Sequence, residues 1–437
     1  MKIDIKFIAL LAIVCLLSLS AVSAADDAQA DVATDTNDDI EIGDADTATN
    51  DTAASNVKTL ERAANGVVIN VADGDTIELD DDYELDKSIF IDNKITLDGK
   101  GHTLDGKNSV RIIAARTTDI TLQNLVFKNG GFSQKDSGAG VWAKEGHITI
   151  INCTFINNKA DYGAAFYTEV GGNKITNCNF TNNTAAATGG AIQINGNDNV
   201  IENCIFTNNK ATATNGGAIA FAGTANNNNK IIGNTFTKNI ANGATSDGGA
   251  IYLQKGVNNQ IKDNSFTENQ AANGGAISLR ETGYATINNN VFTNNKAKTL
   301  GGAIRESITN SKTKTTISNN KFNGNAAPTS GAIHIDGNNI EISKNVFDNN
   351  KATSTFGGSI GATSSTISIL NNNITNTNAK TLGGAIYVKG NPVTIKSNEI
   401  NNANAADGGA IYVDKTSVAT IDSTISPNVQ LQTLVEQ

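Results

Sequence analysis

Hydrophobic and polar positions alternate along most of this chain in short runs rich in β-branched residues, which Asn and Gly separate. Alternation with a period of two is typical of β-strands, and the spacing of an amphipathic helix is absent. A Phe or Ile marks one such run in each of eleven similar segments, spaced 25 to 30 residues apart. These positions are Phe127, Phe155, Phe180, Phe206, Phe236, Phe266, Phe292, Phe322, Phe347, Ile374 and Ile400. The chain is therefore predicted to be a repeat protein.

Two further positions recur in every segment. An aliphatic residue lies five residues before the Phe, at Leu122, Ile150, Ile175, Ile201, Ile231, Ile261, Ile287, Ile317, Ile342, Ile369 and Ile395. A small-residue turn, usually Gly-Gly-Ala-Ile, follows the Phe, and its last position is Val141, Phe166, Ile192, Ile219, Ile251, Ile277, Ile304, Ile333, Ile360, Ile386 or Ile411. Three short strands per segment predict an all-β fold, a single-stranded right-handed parallel β-helix (solenoid) of about 12–13 coils.

The residue two positions before each Phe tests this fold. It is Leu125 in the first segment, then Cys153, Cys178 and Cys204, and then Asn234, Asn264, Asn290, Asn320, Asn345, Asn372 and Asn398. We expect a sharp bend here, because Asn tolerates left-handed backbone angles, and a ladder of stacked Asn amides. Stacked neighbours suit disulfide geometry badly, so buried free thiols are favoured for the three Cys, while one disulfide or a metal site remains open.

The termini differ in composition from the repeats. Lys2 and Lys6 precede an apolar run from Phe7 to Leu19, a pattern typical of a secretory signal peptide and too short to span a membrane. The next stretch is acidic, nearly without bulky apolar residues, and is predicted to be disordered. The predicted divisions are a signal peptide (1–24), a disordered acidic linker (25–56), an N-terminal cap with the first coils (57–110), the β-helix repeats (111–426) and a C-terminal tail (427–437). We expect no transmembrane segment once the signal peptide is removed.

The net charge of −10 is concentrated in the linker, which holds ten acids and no Lys or Arg between residues 26 and 55. The first 25 residues contribute +1, so the rest of the chain carries about −1. Binding to nucleic acid requires clustered positive charge, and this nearly neutral body is not expected to bind it.

Catalysis by a solenoid would require acids or bases that cluster at one stacked position over neighbouring coils. His102, His147 and His334 are far apart in the sequence. The pairs Arg280-Glu281 and Arg305-Glu306 fall in adjacent segments at different positions, and each is interpreted as a solvated surface pair. We therefore predict no catalytic residues, no metal site and no cofactor.

The position directly after each Gly-Gly-Ala-Ile phrase concentrates the aromatic residues. It holds the chain's one Trp and four of its seven Tyr, namely Trp142, Tyr167, Tyr252, Tyr387 and Tyr412. Alternation predicts that these side chains face outward, because the preceding aliphatic side chain faces the core. Exposed rings stack on sugars and anchor interfaces, so this row is the predicted ligand-binding site. The alternative is that stacked rings only stabilise a sheet face.

The repeated tetrapeptides Gly-Gly-Ala-Ile and Phe-x-x-Asn, the latter for example at Phe180 to Asn183, resemble those of polymorphic outer-membrane-protein adhesins and of methanogen adhesin-like proteins. Residues 72–106 are similar to the first coils of pectin-lyase-like β-helices. The resemblance covers roughly residues 65–425 and implies an extracellular adhesin-like β-helix. Only about a dozen residues follow Ile425, so we expect the archaeal or cell-wall type.

Three hypotheses about function follow. The favoured one is a secreted, cell-surface adhesin that binds glycan or protein surfaces without catalysis. The others are a polysaccharide lyase or glycosidase of pectin-lyase-like fold and a structural spacer of the cell envelope. Asn-x-Thr triplets begin at Asn152, Asn179, Asn182 and Asn373 and are compatible with N-glycosylation at the surface of an exported protein.

Overall fold

The computed structural model describes residues 40–42, 57–59, 61–63, 66–68, 71–131, 136–307, 314–337, 339–363, 366–425 and 432–433. These residues form a right-handed parallel β-helix of about 12 turns, which confirms the predicted fold. In these ranges no helix is long and apolar enough to cross a membrane.

One side of the solenoid, here called the GGAI face, is a 15-stranded parallel sheet. Each strand pairs in register with the equivalent strand of the next coil, as in the pair Trp142 and Tyr167. Its strands are Ile40–Ile42, Ile89–Ile91, Ile113–Ala115, Val141–Ala143, Phe166–Thr168, Ile192–Ile194, Ile219–Phe221, Ile251–Val257, Ile277–Gly283, Ile304–Ser307, Ile333–Ile335, Ile360–Thr363, Ile386–Lys389, Ile411–Val413 and Gln432–Thr433.

The aliphatic face carries the aliphatic residue that precedes each Phe. Its strands are Val57–Thr59, Thr76–Glu78, Thr96–Asp98, Thr121–Gln123, Thr149–Ile151, Lys174–Thr176, Val200–Glu202, Lys230–Ile232, Gln260–Lys262, Thr286–Asn288, Thr315–Ser318, Ile340–Ser343 and Ile367–Leu370. The last two coils continue it with Val393–Asn404 and Ala419–Ile425, which bend onto the next face as well.

The Phe face carries the eleven Phe and Ile residues that define the repeat. Its strands are Tyr83–Glu84, Thr103–Asp105, Val126–Lys128, Thr154–Ile156, Asn179–Thr181, Ile205–Thr207, Thr235–Thr237, Ser265–Thr267, Val291–Thr293, Lys321–Asn323, Val346–Asp348 and Asn373–Ala379. Short strands follow it at Lys159–Ala160, Thr184–Ala185, Lys210–Ala211, Ile240–Ala241, Gln270–Asn273, Lys296–Leu300, Ala326–Ala327 and Lys351–Ala352. An antiparallel hairpin, Glu61–Ala63 with Gly66–Val68, lies near the N-terminal coils.

The predicted divisions can be compared with the structure only in part. The signal peptide lies outside the described residues, as does most of the acidic linker. Within that linker, Ile40–Ile42 forms a strand that pairs with Ile89–Ile91. Their Ile-Glu-Ile alternation suits the edge of a parallel sheet. In the tail, Gln432–Thr433 pairs with Tyr412–Val413.

In the Asn-Asn pairs of the repeat, the first Asn turns the chain and the second Asn is buried in the interior. The first Asn adopts the left-handed conformation, with φ of 58° at Asn289 and 55° at Asn294. The second Asn, Asn290 or Asn295, points into the interior and is buried. The expected bend is therefore present, but its left-handed residue lies one position before the ladder Asn rather than at it.

The predicted Asn ladder is confirmed, and each amide bonds both to backbone and to the next coil. Asn264 Nδ2 donates to Ile231 O at 2.9 Å and to Asn290 Oδ1 at 3.0 Å. Its own Oδ1 accepts hydrogen bonds from the backbone N–H and the side chain of Asn234. A second ladder, not predicted, follows the Phe residues at Asn158, Asn183, Asn209, Asn239, Asn269, Asn295, Asn325 and Asn350.

The three stacked cysteines occupy the first coils of the predicted ladder as buried free thiols. Cys178 Sγ lies 3.4 Å from the backbone N of Cys153, the place that an Asn oxygen takes elsewhere in the ladder. Burial raises the pKa of the Cys153 and Cys204 thiols. The favoured interpretation of the cysteines is therefore confirmed.

The core is a column of repeated contacts rather than a globular centre. Nine Phe rings from Phe127 to Phe347 stack with centroids 4.5 to 4.9 Å apart. The Gly-Gly turn lets the chain close each coil tightly. Gly216 has a φ of 66°, and a Cβ on Gly217 would lie 2.1 Å from Gly249 O. The first Gly therefore supplies a left-handed turn and the second supplies room for the next coil.

Candidate binding face

The predicted aromatic row lies on the outer side of the GGAI face. Backbone pairing aligns its members one coil after another, and it places Trp142 beside Tyr167 and Tyr387 beside Tyr412. The full row is Trp142, Tyr167, Gln193, Ala220, Tyr252, Ser278, Arg305, His334, Gly361, Tyr387 and Tyr412. The row therefore pairs four of its aromatic members at the two ends, while Tyr252 lies between them among small and polar residues.

The expectation that all five rings are exposed is wrong for two of them. Trp142, Tyr167 and Tyr412 are half-buried, but Tyr252 is only 2% exposed and Tyr387 only 6%. Phe356, from the turn before the GGAI strand of its own coil, stacks on Tyr387 with centroids 3.9 Å apart. Burial raises the pKa of the Tyr252 hydroxyl, which also interacts with the nearby Arg280. Turn segments of variable length thus cover parts of the row.

The N-terminal end of the row, here called the Trp platform, consists of Trp142, Tyr162 and Tyr167. The two Tyr rings lie 6.4 Å apart, and the Tyr167 hydroxyl donates to Glu169 Oε1 at 2.8 Å. The guanidinium of Arg111 lies 4.8 Å from the centre of the Trp142 ring. These contacts hold flat rings beside charged hydrogen-bonding groups at the surface.

Arg111 is positioned by the turn that precedes Trp142. It donates to Asp136 Oδ2 at 2.6 Å and to Ser137 O at 3.1 Å, and its side chain is almost fully buried. The cation is thereby neutralised and cannot easily leave the Trp142 ring. The Trp platform is therefore a preorganised surface.

The C-terminal end of the row, here called the Tyr platform, consists of Phe356, Tyr387 and Tyr412. Tyr387 and Tyr412 stack with centroids 5.7 Å apart and an interplanar angle of 11°. Phe356 and Tyr412 are half-buried, so their rings form the accessible part of this platform. Eight coil steps separate Tyr167 from Tyr387 along the row, which at about 4.8 Å per coil corresponds to roughly 40 Å.

The middle of the row carries an ionic cluster that the sequence interpretation missed. Arg305 contacts two carboxylates, Asp336 Oδ2 at 3.2 Å and Asp247 Oδ1 at 3.5 Å. His334 lies between Ser330 Oγ, 2.8 Å from its Nδ1, and Asp336 Oδ1, 2.9 Å from its Nε2. The sequence already indicated that these side chains are neighbours, because Arg305 and His334 occupy the same position of the row in consecutive coils.

Burial and neighbouring charges shift the pKa values of Asp247 and Asp336 in opposite directions. Burial raises the pKa of Asp247 above its ordinary value, although Arg305 opposes this. Burial also acts to raise the pKa of Asp336, but hydrogen bonds from His334 and Thr363 and the nearby Arg305 bring it below the usual range. The cluster neutralises its own charges, and His334 and Ser330 within it are buried.

The interpretation of Arg305-Glu306 as a solvated pair is wrong. The Arg305 side chain is only 20% exposed, and Glu306 is fully buried at the inward position between Leu279 and Ile335. Glu306 Oε2 accepts the backbone N–H of Gly337 at 3.0 Å, and its other oxygen has no hydrogen-bond partner among the described residues. Burial raises the pKa of Glu306 from 4.5 to about 8. A protonated carboxyl group therefore lies in the core at neutral pH.

No group of three or more His, Cys, Asp or Glu side chains that could hold a metal ion occurs in the described ranges. A shallow cavity of about 410 Å³ lies at the bend between the aliphatic and Phe faces, lined by Lys100, Gly101, Asn124, Leu125, Val126, Asn152 and Thr154. It is remote from the GGAI row in the repeat, so the platforms are surfaces rather than parts of this cavity.

A family model described as "Right handed beta helix region" matches residues 87–253 and 239–374, which together cover more than half of the chain. The chain belongs to this right-handed β-helix family. The matched region of this β-helix protein includes the Trp platform and the ionic cluster, whereas Tyr387 and Tyr412 lie beyond it.

Solved structures similar to this β-helix protein include enzymes and an adhesin. One is the DFA-IIIase from Arthrobacter chlorophenolicus A6, with 12% identity over 80% of this chain and 84% of that chain and a TM-score of 0.39. Another is PfbA, a surface adhesin of Streptococcus pneumoniae, with 13% identity, coverage of 78% and 85%, and a TM-score of 0.42. A third is a mannuronic acid specific polysaccharide family 6 lyase from human gut microbiota, with 12% identity, coverage of 82% and 87%, and a TM-score of 0.42.

Likenesses at this level carry no argument about function. A comparison with curated protein sequences finds no significant match.

Proposed function

We propose that this chain is an exported, cell-surface adhesin-like protein that binds glycan chains through the Trp and Tyr platforms of its GGAI face, without chemistry. The observation that carries the proposal is the concentration of the chain's one Trp and four of its seven Tyr at a single position of the repeat, where Trp142, Tyr167 and Tyr412 are accessible. Chance placement on a repetitive surface would spread these rings over the other faces as well.

The arrangement of the Trp platform supports a glycan rather than an apolar ligand. Trp142 and Tyr167 are half-buried, so part of each ring is accessible to a ligand. Asp136 and Glu169 lie beside the rings and provide acceptors for sugar hydroxyl groups. A sugar ring offers the same combination of apolar C–H face and polar rim.

The state of the ionic cluster supports binding without catalysis. A general acid and base must reach the substrate, and here Arg305, His334 and Asp336 are engaged with one another. Ser330 and Glu306 are fully buried. Export, and hence a place at the cell surface, rests on the predicted signal peptide at residues 1–24.

The proposal is tested by retention on a panel of insoluble cell-wall and host polysaccharides, with new reducing or unsaturated chain ends measured in the same samples. We expect retention without new ends, weakened by Trp142→Ala and by Tyr412→Ala. Tyr284→Ala is the matched control, because Tyr284 is 52% exposed but lies outside the row.

Four outcomes would contradict the proposal. New chain ends would indicate an enzyme. Retention that Trp142→Ala and Tyr284→Ala reduce equally would place binding elsewhere. Binding to a protein with no polysaccharide retained would indicate a protein partner. If Trp142→Ala lowers thermal stability but not retention, the row only stabilises the sheet.

A further inference from the structure

The outer side of the Phe face carries three exposed large apolar side chains. The outward position just before each Phe is Val126, Thr154, Asn179, Ile205, Thr235, Ser265, Val291, Lys321, Val346, Asn373 and Glu399. Ile205 is 47% exposed, Val346 is 44% and Val291 is 40%. Each of them lies between polar neighbours in this column, as Ile205 does between Asn179 and Thr235.

Two asparagines lie directly beside these apolar residues. Register pairs Asn179 with Ile205 and Asn373 with Val346 on neighbouring coils. Stacked neighbours in a parallel sheet are about 4.8 Å apart, so a group attached to either Asn extends over its apolar neighbour. Asn179 and Asn373 are both exposed.

Asn179 and Asn373 also begin Asn-x-Thr triplets whose geometry suits a surface modification. In each, the middle residue, Phe180 or Ile374, is buried, while the Thr faces the same side as the Asn and is partly accessible. The ladder asparagines are different. Asn264, for example, faces the core, and the residue two positions later is the buried Phe266. The fold thus separates structural Asn from Asn that a modifying enzyme and a bulky product can reach.

We propose that Asn179 and Asn373 carry N-linked oligosaccharides that cover Ile205 and Val346. In this reaction the side-chain amide nitrogen bonds to the anomeric carbon of an oligosaccharide carried on a lipid phosphate or pyrophosphate. The bond from that carbon to the phosphate oxygen breaks, the lipid phosphate leaves, and the amide loses one proton. The inference rests on the export that the proposed function includes, because the acceptor triplet is glycosylated in secreted proteins.

The triplets at Asn152 and Asn182 are not part of this assignment. Asn152 and Asn182 are exposed and have φ of 56° and 57° in left-handed turns. The Asn152 amide already donates to Asn124 Oδ1 at 2.7 Å. Neither lies in the row that contains Ile205 and Val346.

The test is glycopeptide mass spectrometry on the chain isolated from the envelope and medium of the cells that produce it, with the mature N-terminus read from the same sample. We expect oligosaccharide on Asn179 and Asn373. Thr181→Val should abolish modification of Asn179, and Thr181→Ser should keep it. Thr207→Val is the matched control, because Thr207 pairs with Thr181 in register but ends the triplet Ile205-Phe206-Thr207, which has no acceptor.

An exported, processed chain with bare Asn179 and Asn373 would overturn this inference and leave the binding proposal intact. Modification of Asn179 that persists in Thr181→Val would overturn it as well. A chain that stays in the cell with residues 1–24 attached would overturn both. Enzymatic removal of the oligosaccharide should increase binding of an apolar fluorescent dye, and an unchanged dye signal would contradict the covering of Ile205 and Val346.

Discussion

Replacing the buried Glu306 by Gln should remove the destabilising effect that alkaline pH has on the coils around it. Gln has nearly the same shape as a protonated Glu and can still accept the Gly337 N–H, but it cannot ionise. In the native chain the carboxyl group must ionise inside the core as pH rises. The variant therefore isolates the cost of one buried charge.

The sign and size of the pH effect on the free energy of unfolding follow from the pKa of Glu306, which burial raises from 4.5 to about 8. Between these values the folded chain holds a proton that the unfolded chain has lost, so the free energy of unfolding falls as pH rises above 4.5 and levels off beyond 8. At about 1.4 kcal/mol per pH unit, this gap corresponds to roughly 5 kcal/mol. Relaxation around the charge makes that value an upper bound.

Solenoids unfold by nearest-neighbour steps, so the assay should be local. We would compare hydrogen exchange of peptides covering Ile304–Ser307 and Ile333–Ile335 in the two proteins at the same pH, which cancels the intrinsic exchange rate. Similar protection is expected at about pH 5. At about pH 9 the variant should be better protected, by up to about a thousandfold.

Glu281→Gln is the control, because Glu281 lies on the preceding GGAI strand with its side chain 41% exposed. It should change protection little at either pH. A wild-type-to-variant ratio for Glu306→Gln that is equal at the acidic and the alkaline pH would refute the assignment of a buried, protonated carboxyl group.

Three further predictions concern the repeat itself. Asn264→Ala should lower the free energy of unfolding of its coils by about 2–4 kcal/mol, because hydrogen bonds are lost and their partners are left unsatisfied. Asn289→Gly, at an exposed left-handed turn, should be nearly neutral in the same urea denaturation. Equal effects of the two substitutions would contradict the ladder's role. Gly217→Ala should lower the thermal midpoint more than Gly101→Ala, because a Cβ on Gly217 would meet Gly249 O at 2.1 Å, whereas Gly101 has a φ of 95° and its Cβ would meet no atom within 4 Å; the reverse order would contradict this packing. The thiols of Cys153, Cys178 and Cys204 should resist maleimide in the native protein and react after denaturation; rapid native labelling would contradict their burial.

Much of the fold could be predicted from the sequence because each coil repeats the same positions. Phe180 and Phe206 recur with the spacing of one coil, and the stacked rings follow directly from that spacing. The sequence interpretation assigns the left-handed conformation at the bend to the ladder Asn, whereas the Asn directly before it adopts that conformation. Sequence alternation does not show which Asn of an Asn-Asn pair turns the chain and which points inward.

The accessible rings of the candidate site were harder to predict, because turns of variable length determine which rings are covered. Phe356 covers Tyr387 from a turn whose path the repeat does not specify. Glu306 could have been found, since it occupies the inward position held by Leu279 and Ile335 in the neighbouring coils. Its acidic side chain instead favoured a surface interpretation, because charged residues are rarely buried without a partner.

The most direct test of the central claim uses the chain's one Trp, which lies on the Trp platform. A soluble fragment of a polysaccharide retained by the protein would be titrated while Trp142 fluorescence and its quenching by iodide are recorded. If the GGAI face binds glycan, the emission should change to saturation and iodide access should fall, with the same midpoint as retention. Saturable retention with unchanged emission and unchanged iodide quenching would contradict glycan binding at the Trp platform.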